Sequence, residues 1–193
     1  MEILDKKTVW QGTFLRTLII TYKDHSGAVR TWEAVERINC NGIAVIAPLT
    51  PAGELLLTRQ FRVVVNEYVI EFPAGLNDKG ENIAEAAQRE LVEETGYTAE
   101  SLIALGEGPI SSGMSTEVLT AFWARNAVPA SPAMRALYPP DPSEDIEIIK
   151  APLERVYEIL EDFQKKGDIV DLKVYGIIEL LRREVARIRK SKV

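Results

Sequence analysis

The sequence is short of cysteine, of long apolar runs and of positive charge, and each shortage removes a class of function. Cys40 is the only cysteine in 193 residues, so neither an intrachain disulfide nor a cysteine-rich zinc site is possible. That fits a reducing compartment, with Cys40 expected as a buried small residue. The longest apolar stretches, such as residues 42–49, fall far short of the ~20 residues a membrane helix needs. Residues 1–8 mix Glu2, Asp5, Lys6 and Lys7 with short apolar interruptions and lack the continuous apolar region of a secretory signal. The expectation is a cytoplasmic protein that does not enter a membrane.

Positive charge is scarce as well. With 23 Lys and Arg against 29 Asp and Glu the formal charge is -6, which disfavours nucleic-acid binding because phosphate backbones reward basic surfaces. A small anionic substrate remains compatible if metal ions mask the carboxylates. Six of the last twelve residues, between Arg182 and Lys192, are basic. The solvated face of a terminal helix explains them more simply than a polyanion site.

What the sequence does hold is the mixture of a folded domain. Apolar residues make up 46% and charged residues 27%, with enough chain for one principal domain and a modest extension. Residues 1–40 are read as the extension and residues 41–193 as the principal domain. In the extension, 14–22 and 29–38 are rich in β-branched and aromatic residues and flank the turn formers of 23–28, which predicts a β-hairpin. Residues 42–48 form a continuous apolar run, the pattern of a strand buried on both faces. Further strands are predicted at 54–65, 68–72, 101–107, 117–125 and 146–149. A helix is predicted over 82–95, where Asn82 and Glu85 make a capping box and Gly96 a left-handed cap. The proline-rich stretch 128–142 reads as a long loop, and helices at 153–166 and 172–190 close the chain. In the last helix Leu172, Tyr175, Ile178, Leu181 and Val185 recur at helical spacing. This order predicts an α/β fold of the α+β type preceded by a small β extension.

The chemistry is concentrated in the pattern Gly75-x5-Glu81-x7-Arg89-Glu90-Leu91-x-Glu93-Glu94-x-Gly96-Tyr97. On a helix Glu90 shares a face with Glu93 and Glu94, three and four residues further on. Like charges so placed repel. The cluster becomes sensible as a site for a hard divalent cation such as Mg²⁺, which takes oxygen from carboxylates, waters and substrate phosphates. Arg89 is placed to pair with Glu93 and, through the preceding turn, with Glu81, fixing their geometry. An exposed acidic helix would explain residues 89–94 alone. Nine specified positions in 23 residues, with glycine at both ends and a strand before the helix, are not a chance pattern.

This pattern matches the Nudix box, and the chain resembles the Nudix hydrolase family. The runs RTWEAVER (30–37), RQFR (59–62), EFPAGL (71–76), EDIEIIKAP (144–152) and KVYGIIELL (173–181) look like its ADP-ribose pyrophosphatase branch. The resemblance implies a Nudix fold, a mixed sheet between helices. It implies Mg²⁺-dependent hydrolysis, with Mn²⁺ as a substitute, of ADP-ribose or related nucleoside diphosphate sugars to nucleoside monophosphate and sugar phosphate. The physical logic is that a diphosphate brings negative charge to an acidic site, so bound metal must offset repulsion and activate water.

By the same resemblance Glu90 and Glu94 are the main metal ligands, Glu93 shares the metals, the Ala74 carbonyl is a backbone ligand and Glu81 an orienting or secondary one. Glu144 matches a late-loop carboxylate that serves as candidate general base, with Asp145 and Glu147 beside it; a solvated loop carboxylate is the alternative. Phe14 and Trp32 stand where a nucleobase is sandwiched, although packing in a β core would use the same residue types. Arg37 and Arg62 are expected on phosphate oxygens or in ordinary ion pairs. Glu117 is expected at a terminal sugar or on a strand edge. The branch places its N-terminal hairpin across a partner subunit, which implies a homodimer with shared active sites. One departure is Ser112, which stands where ADP-ribose-specific members carry proline and so opens the site to other nucleoside diphosphate sugars. Two further readings stay open: hydrolysis of nucleoside triphosphates or dinucleotides, and a nucleotide-sugar sensor that no longer cuts. The complete set of box glutamates weighs against the sensor.

Overall fold

The computed structural model describes residues 1–190. The chain opens with β1 (Glu2–Gln11), β2 (Leu15–Lys23) and β3 (Val29–Arg37), an antiparallel sheet of its own in that order. The β2–β3 pair is the predicted hairpin, with Leu15 opposite Arg37 and Lys23 opposite Val29. Asp24 organises its turn by accepting from the Ser26 and Ala28 amides at 2.9 and 3.0 Å. No sequence reading marks β1 as a strand, because charged residues interrupt its apolar alternation and all ten of its residues are exposed. Its ladder with β2 holds it extended.

After this sheet come β4 (Ile43–Leu49), β5 (Glu54–Arg62), β6 (Glu67–Glu71), β7 (Ala74–Leu76) and α1 (Ile83–Thr95). The chain continues through β8 (Tyr97–Thr98), β9 (Ser101–Pro109), β10 (Val118–Arg125), β11 (Val128–Pro129) and α2 (Pro132–Leu137). It closes with β12 (Ile146–Pro152), α3 (Val156–Lys165), β13 (Ile169–Val170) and α4 (Leu172–Lys190). The main sheet runs β13-β6-β5-β4-β10-β9, with β12 added to β5 and β7 to β4, while β8 and β11 pair separately. It is mixed, since β4–β10 and β6–β13 are parallel and β5–β6 and β9–β10 antiparallel.

Strand β4 explains the layering. Ala44 and Ile46 face one side, Val45 and Ala47 the other, and all four are buried, as its unbroken apolar run requires. On the first side α1 packs Ala87 and Leu91. On the second, α3 and α4 bring Val156, Leu160, Val174, Ile178 and Leu181. The sheet therefore lies between helices. Full burial of Leu91, Ile178 or Leu181 contributes about 1.5–3 kcal/mol each.

Helix α1 starts as the sequence predicts. The Asn82 side chain accepts from the Ala84 and Glu85 amides at 3.0 Å, the Glu85 carboxylate accepts from the Asn82 amide at 2.9 Å, and Gly96 closes the helix at φ 69°. Elsewhere the structure corrects the boundaries. The strand expected over 54–65 ends at Arg62, because Val63–Asn66 turns, with Asn66 at φ 57°. The stretch 128–142 is not all loop, since Ser131 caps the short helix α2 and Pro132 sits in its first turn. β12 runs on to Pro152, and α3 starts later than expected, at Val156. On α4 the buried stripe is Val174, Ile177, Ile178 and Leu181, whereas Leu172 is exposed. Cys40 is half-buried, its thiol donating to the Gly42 carbonyl at 3.1 Å. Lys192, part of the expected basic face, lies outside the described residues. Among the described residues no helix is long and apolar enough to cross a membrane.

Candidate active site

Strand β7 lies antiparallel to β4, with Ala74 opposite Val45 and Leu76 opposite Ile43, and this seats Gly75 against α1. Gly75 is required by contact. A Cβ there would fall 1.8 Å from the Glu90 carboxyl carbon, so the missing side chain is what gives Glu90 its place.

Arg89 organises the carboxylates. It is 5% exposed, and all its donors are used. Nη2 donates to Glu81 at 2.6 Å and to the Leu76 carbonyl at 3.0 Å, Nη1 to Glu90 at 2.5 Å and to Glu93 at 2.8 Å, and Nε to Glu81 at 3.0 Å. Burial works against its charge, but Glu81, Glu90 and Glu93 outweigh that and keep it protonated. The predicted Glu81–Arg89–Glu93 pairing is therefore present, and Lys79 stands 3.5 Å from Glu93.

Glu94 is not held by Arg89 and accepts from the Ala74 amide at 3.1 Å. Burial pushes its carboxyl well above the ordinary range, and the charges of Glu90 and Glu144 push it further. Burial also raises Glu90, to about 7, against the pull of Arg89. Among the described residues no three carboxylate, histidine or cysteine side chains are gathered into a ready-made cation cage, because Arg89 holds Glu81, Glu90 and Glu93 itself. Glu90 and Glu94 nonetheless fit a hard divalent cation. Both are oxygen donors whose charge burial opposes, and Gly75 leaves room at Glu90.

These groups face a cavity of about 720 Å³. Its walls include Glu90, Glu93 and Glu94 from α1, Ala74 from β7, and Glu144 from the turn that follows Asp141. Arg62 lies there and donates to Glu71 at 2.6 Å; burial raises the Glu71 carboxyl, and Arg62 works against that rise. Arg37 lies there too, bonded at 2.5 Å to Glu117, which also accepts from Ser115 Oγ at 3.1 Å. Arg62 and Arg37 thus face the cavity while making the ion pairs that the sequence left as the alternative. Asp145 and Glu147 lie off its walls, and Glu147 accepts from Arg59 at 3.3 Å.

The aromatic pair is not brought to this cavity within one chain. Phe14 is 76% and Trp32 52% exposed. Trp32 Nε1 donates to the Gly113 carbonyl at 2.9 Å, beside exposed Ser112, and Val35 exchanges hydrogen bonds with Met114 and Thr116. The N-terminal sheet is docked on the 111–116 turn in this way. Sequence reasoning missed Lys173, which faces the cavity from the first turn of α4. The available signal was a cation at a helix N-terminus, where the helix dipole disfavours it.

A mixed sheet between helices, with a strand glycine seated against a helix of largely buried glutamates on one cavity, defines a hydrolase of the Nudix type. A family profile for the NUDIX domain matches residues 40–171, most of the chain and all of the box. An ADP-sugar pyrophosphatase of Mus musculus is 31% identical over 90% of this chain and 84% of its own. An ADP-ribose pyrophosphatase of Bacillus subtilis is 27% identical over 96% and 97%. A putative nudix hydrolase 2 of Caenorhabditis elegans is 34% identical over 53% of this chain, a match that spans 49% of that relative. A crystal structure titled ADP compounds hydrolase shares the fold, with a TM-score of 0.76, 24% identity and coverage of 95% and 93%. The chain belongs to the Nudix family, whose hydrolases use divalent metals.

Proposed function

We propose that the chain is a Mg²⁺-dependent pyrophosphatase of ADP-ribose and related nucleoside diphosphate sugars, with Mn²⁺ able to substitute, acting in the cytoplasm. The observation that carries this reading is the pair of buried carboxylates, Glu90 and Glu94, on a cavity that also presents Arg37 and Arg62. Likeness over nearly the whole chain to ADP-ribose and ADP-sugar pyrophosphatases supports it.

Glu90 and Glu94, with Glu93 and the Ala74 carbonyl, would hold the metal, Glu81 acting through Arg89 to fix their orientation. A divalent cation there offsets the diphosphate charge and lowers the pKa of the attacking water. Glu144 takes the proton as that water adds to phosphorus and the bridging P–O bond breaks. Arg62 and Arg37 grip phosphate oxygens, for which Glu71 and Glu117 are exchangeable partners. Glu117 is then released as an acceptor for a substrate hydroxyl. Phe14 and Trp32 stack the base from two chains of a homodimer with shared active sites. At Ser112 the exposed turn lacks the rigidity of proline, which favours a range of nucleoside diphosphate sugars over ADP-ribose alone.

The test is product release from ADP-ribose, GDP-mannose, UDP-glucose, diadenosine polyphosphates and nucleoside triphosphates with Mg²⁺ or Mn²⁺. ADP-ribose is expected to yield AMP and ribose 5-phosphate, with other nucleoside diphosphate sugars cut more slowly. Turnover of nucleoside triphosphates alone would contradict the reading.

A further inference from the structure

Lys173 stands at a junction. It faces the catalytic cavity together with Ile110 and Leu119, and the same three residues line one end of a second hollow of about 630 Å³ between β9 and the first half of α4. The two hollows adjoin at these residues. The second is chiefly apolar, with Leu105, Ala121, Ile177 and Leu180 on its walls, and Gly108 and Gly176 face it. A Cβ at either glycine would meet nothing within 4 Å, so packing does not demand glycine there. Inside α4 glycine is a poor helix former. Gly176 weakens the helix and keeps the groove open.

The cation at the junction points the same way. Lys173 lies in the first turn of α4, against the helix dipole. Its ammonium pairs with Asp171, which lies off the cavity wall and also accepts from the Lys173 backbone amide at 2.8 Å. Asp171 therefore keeps a donor when the ammonium swings into the cavity. Arg89 lacks that freedom, since it is itself buried and holds Glu81, Glu90 and Glu93 at once.

We propose that Lys173 is a specificity-determining substrate contact, whose ammonium takes the phosphate distal to the nucleoside while the groove beyond receives the group esterified to that phosphate. The inference rests on the diphosphate hydrolysis proposed above, with the nucleoside toward Arg37 and the N-terminal sheet. The other half of the substrate then emerges past Lys173. An apolar groove suits a flat, weakly polar group better than a bare sugar.

Steady-state kinetics of wild type, Lys173→Ala, Lys173→Arg and Gly176→Leu on ADP-ribose and on FAD, in which ADP is joined through its distal phosphate to ribityl-flavin, test this. Lys173→Ala is expected to raise KM for both substrates about 10- to 100-fold with kcat within about threefold, and Lys173→Arg to recover most of the loss. Gly176→Leu, which fills the groove, is expected to lower kcat/KM for FAD about tenfold relative to ADP-ribose. If ADP-ribose is cut but KM ignores Lys173→Ala, the phosphate contact is overturned. If FAD is not cut, or ignores Gly176→Leu, the groove assignment is overturned. A Gly176→Leu protein that changes its sedimentation but not its selectivity would put a second copy in the groove and overturn it equally. A wild type that cuts neither substrate refutes the hydrolytic reading itself, and this inference with it.

Discussion

At Glu90 three effects compete. Burial raises its carboxyl to about 7, Arg89 at 2.5 Å pulls it down and Glu93 pushes it up, while Glu94 is raised mainly by burial and then by Glu90 and Glu144. Because both folded-state values lie above the unfolded value of 4.5, the folded protein binds these two protons more tightly. Their contribution to stability is complete below that value and is lost as pH rises, for Glu90 through about 7. A divalent cation needs the ionised carboxylates and so competes with the protons. Saturating Mg²⁺, at about one hundred times its dissociation constant, is expected to raise Tm by roughly 5–10 °C near about pH 8 and far less near about pH 5. Thermal melts with and without Mg²⁺ at the two pH values check this. An equal shift at both would place the metal elsewhere.

At the scale of elements, legibility in the sequence followed local punctuation. Helix α1 was readable because Asn82, Glu85 and Gly96 mark both ends, and β4 because its apolar run is unbroken. The Glu81–Arg89–Glu93 grouping was readable because helical spacing and one turn determine it. Strand β1 was not, since its extension comes from pairing with β2 and from no apolar pattern of its own. The short helix α2 carried a usable signal, Ser131 before Pro132, that the surrounding prolines obscured. The Arg37–Glu117 and Trp32–Gly113 contacts were out of reach because they depend on how β3 docks on a turn some eighty positions away. Lys173 carried only the weak signal of a cation in a helix's first turn, and the packing of α4 against β9 is what brings it to the cavity.

For the whole molecule the decisive fact is the distance between the two candidate stacking rings. Trp32 is opposite Ile20, six residues along β2 from Phe14, or roughly 20 Å at strand spacing. Stacked rings lie within about 7 Å of each other, so one chain does not close a sandwich on a base. Both rings are exposed, as are Ile3, Leu4, Val9 and Trp10 of β1, which leaves the N-terminal sheet apolar side chains that a second copy would cover. Sedimentation equilibrium is therefore expected to give twice the 21.5 kDa chain mass, and a monomer at micromolar concentration would contradict the shared site. The central claim, that the buried carboxylates of α1 are the hydrolytic centre, is tested most directly by the turnover of Glu94→Gln on ADP-ribose at fixed Mg²⁺. The account predicts a loss on the order of 10²- to 10⁴-fold with an unchanged circular dichroism spectrum. Turnover within about threefold of wild type would contradict it.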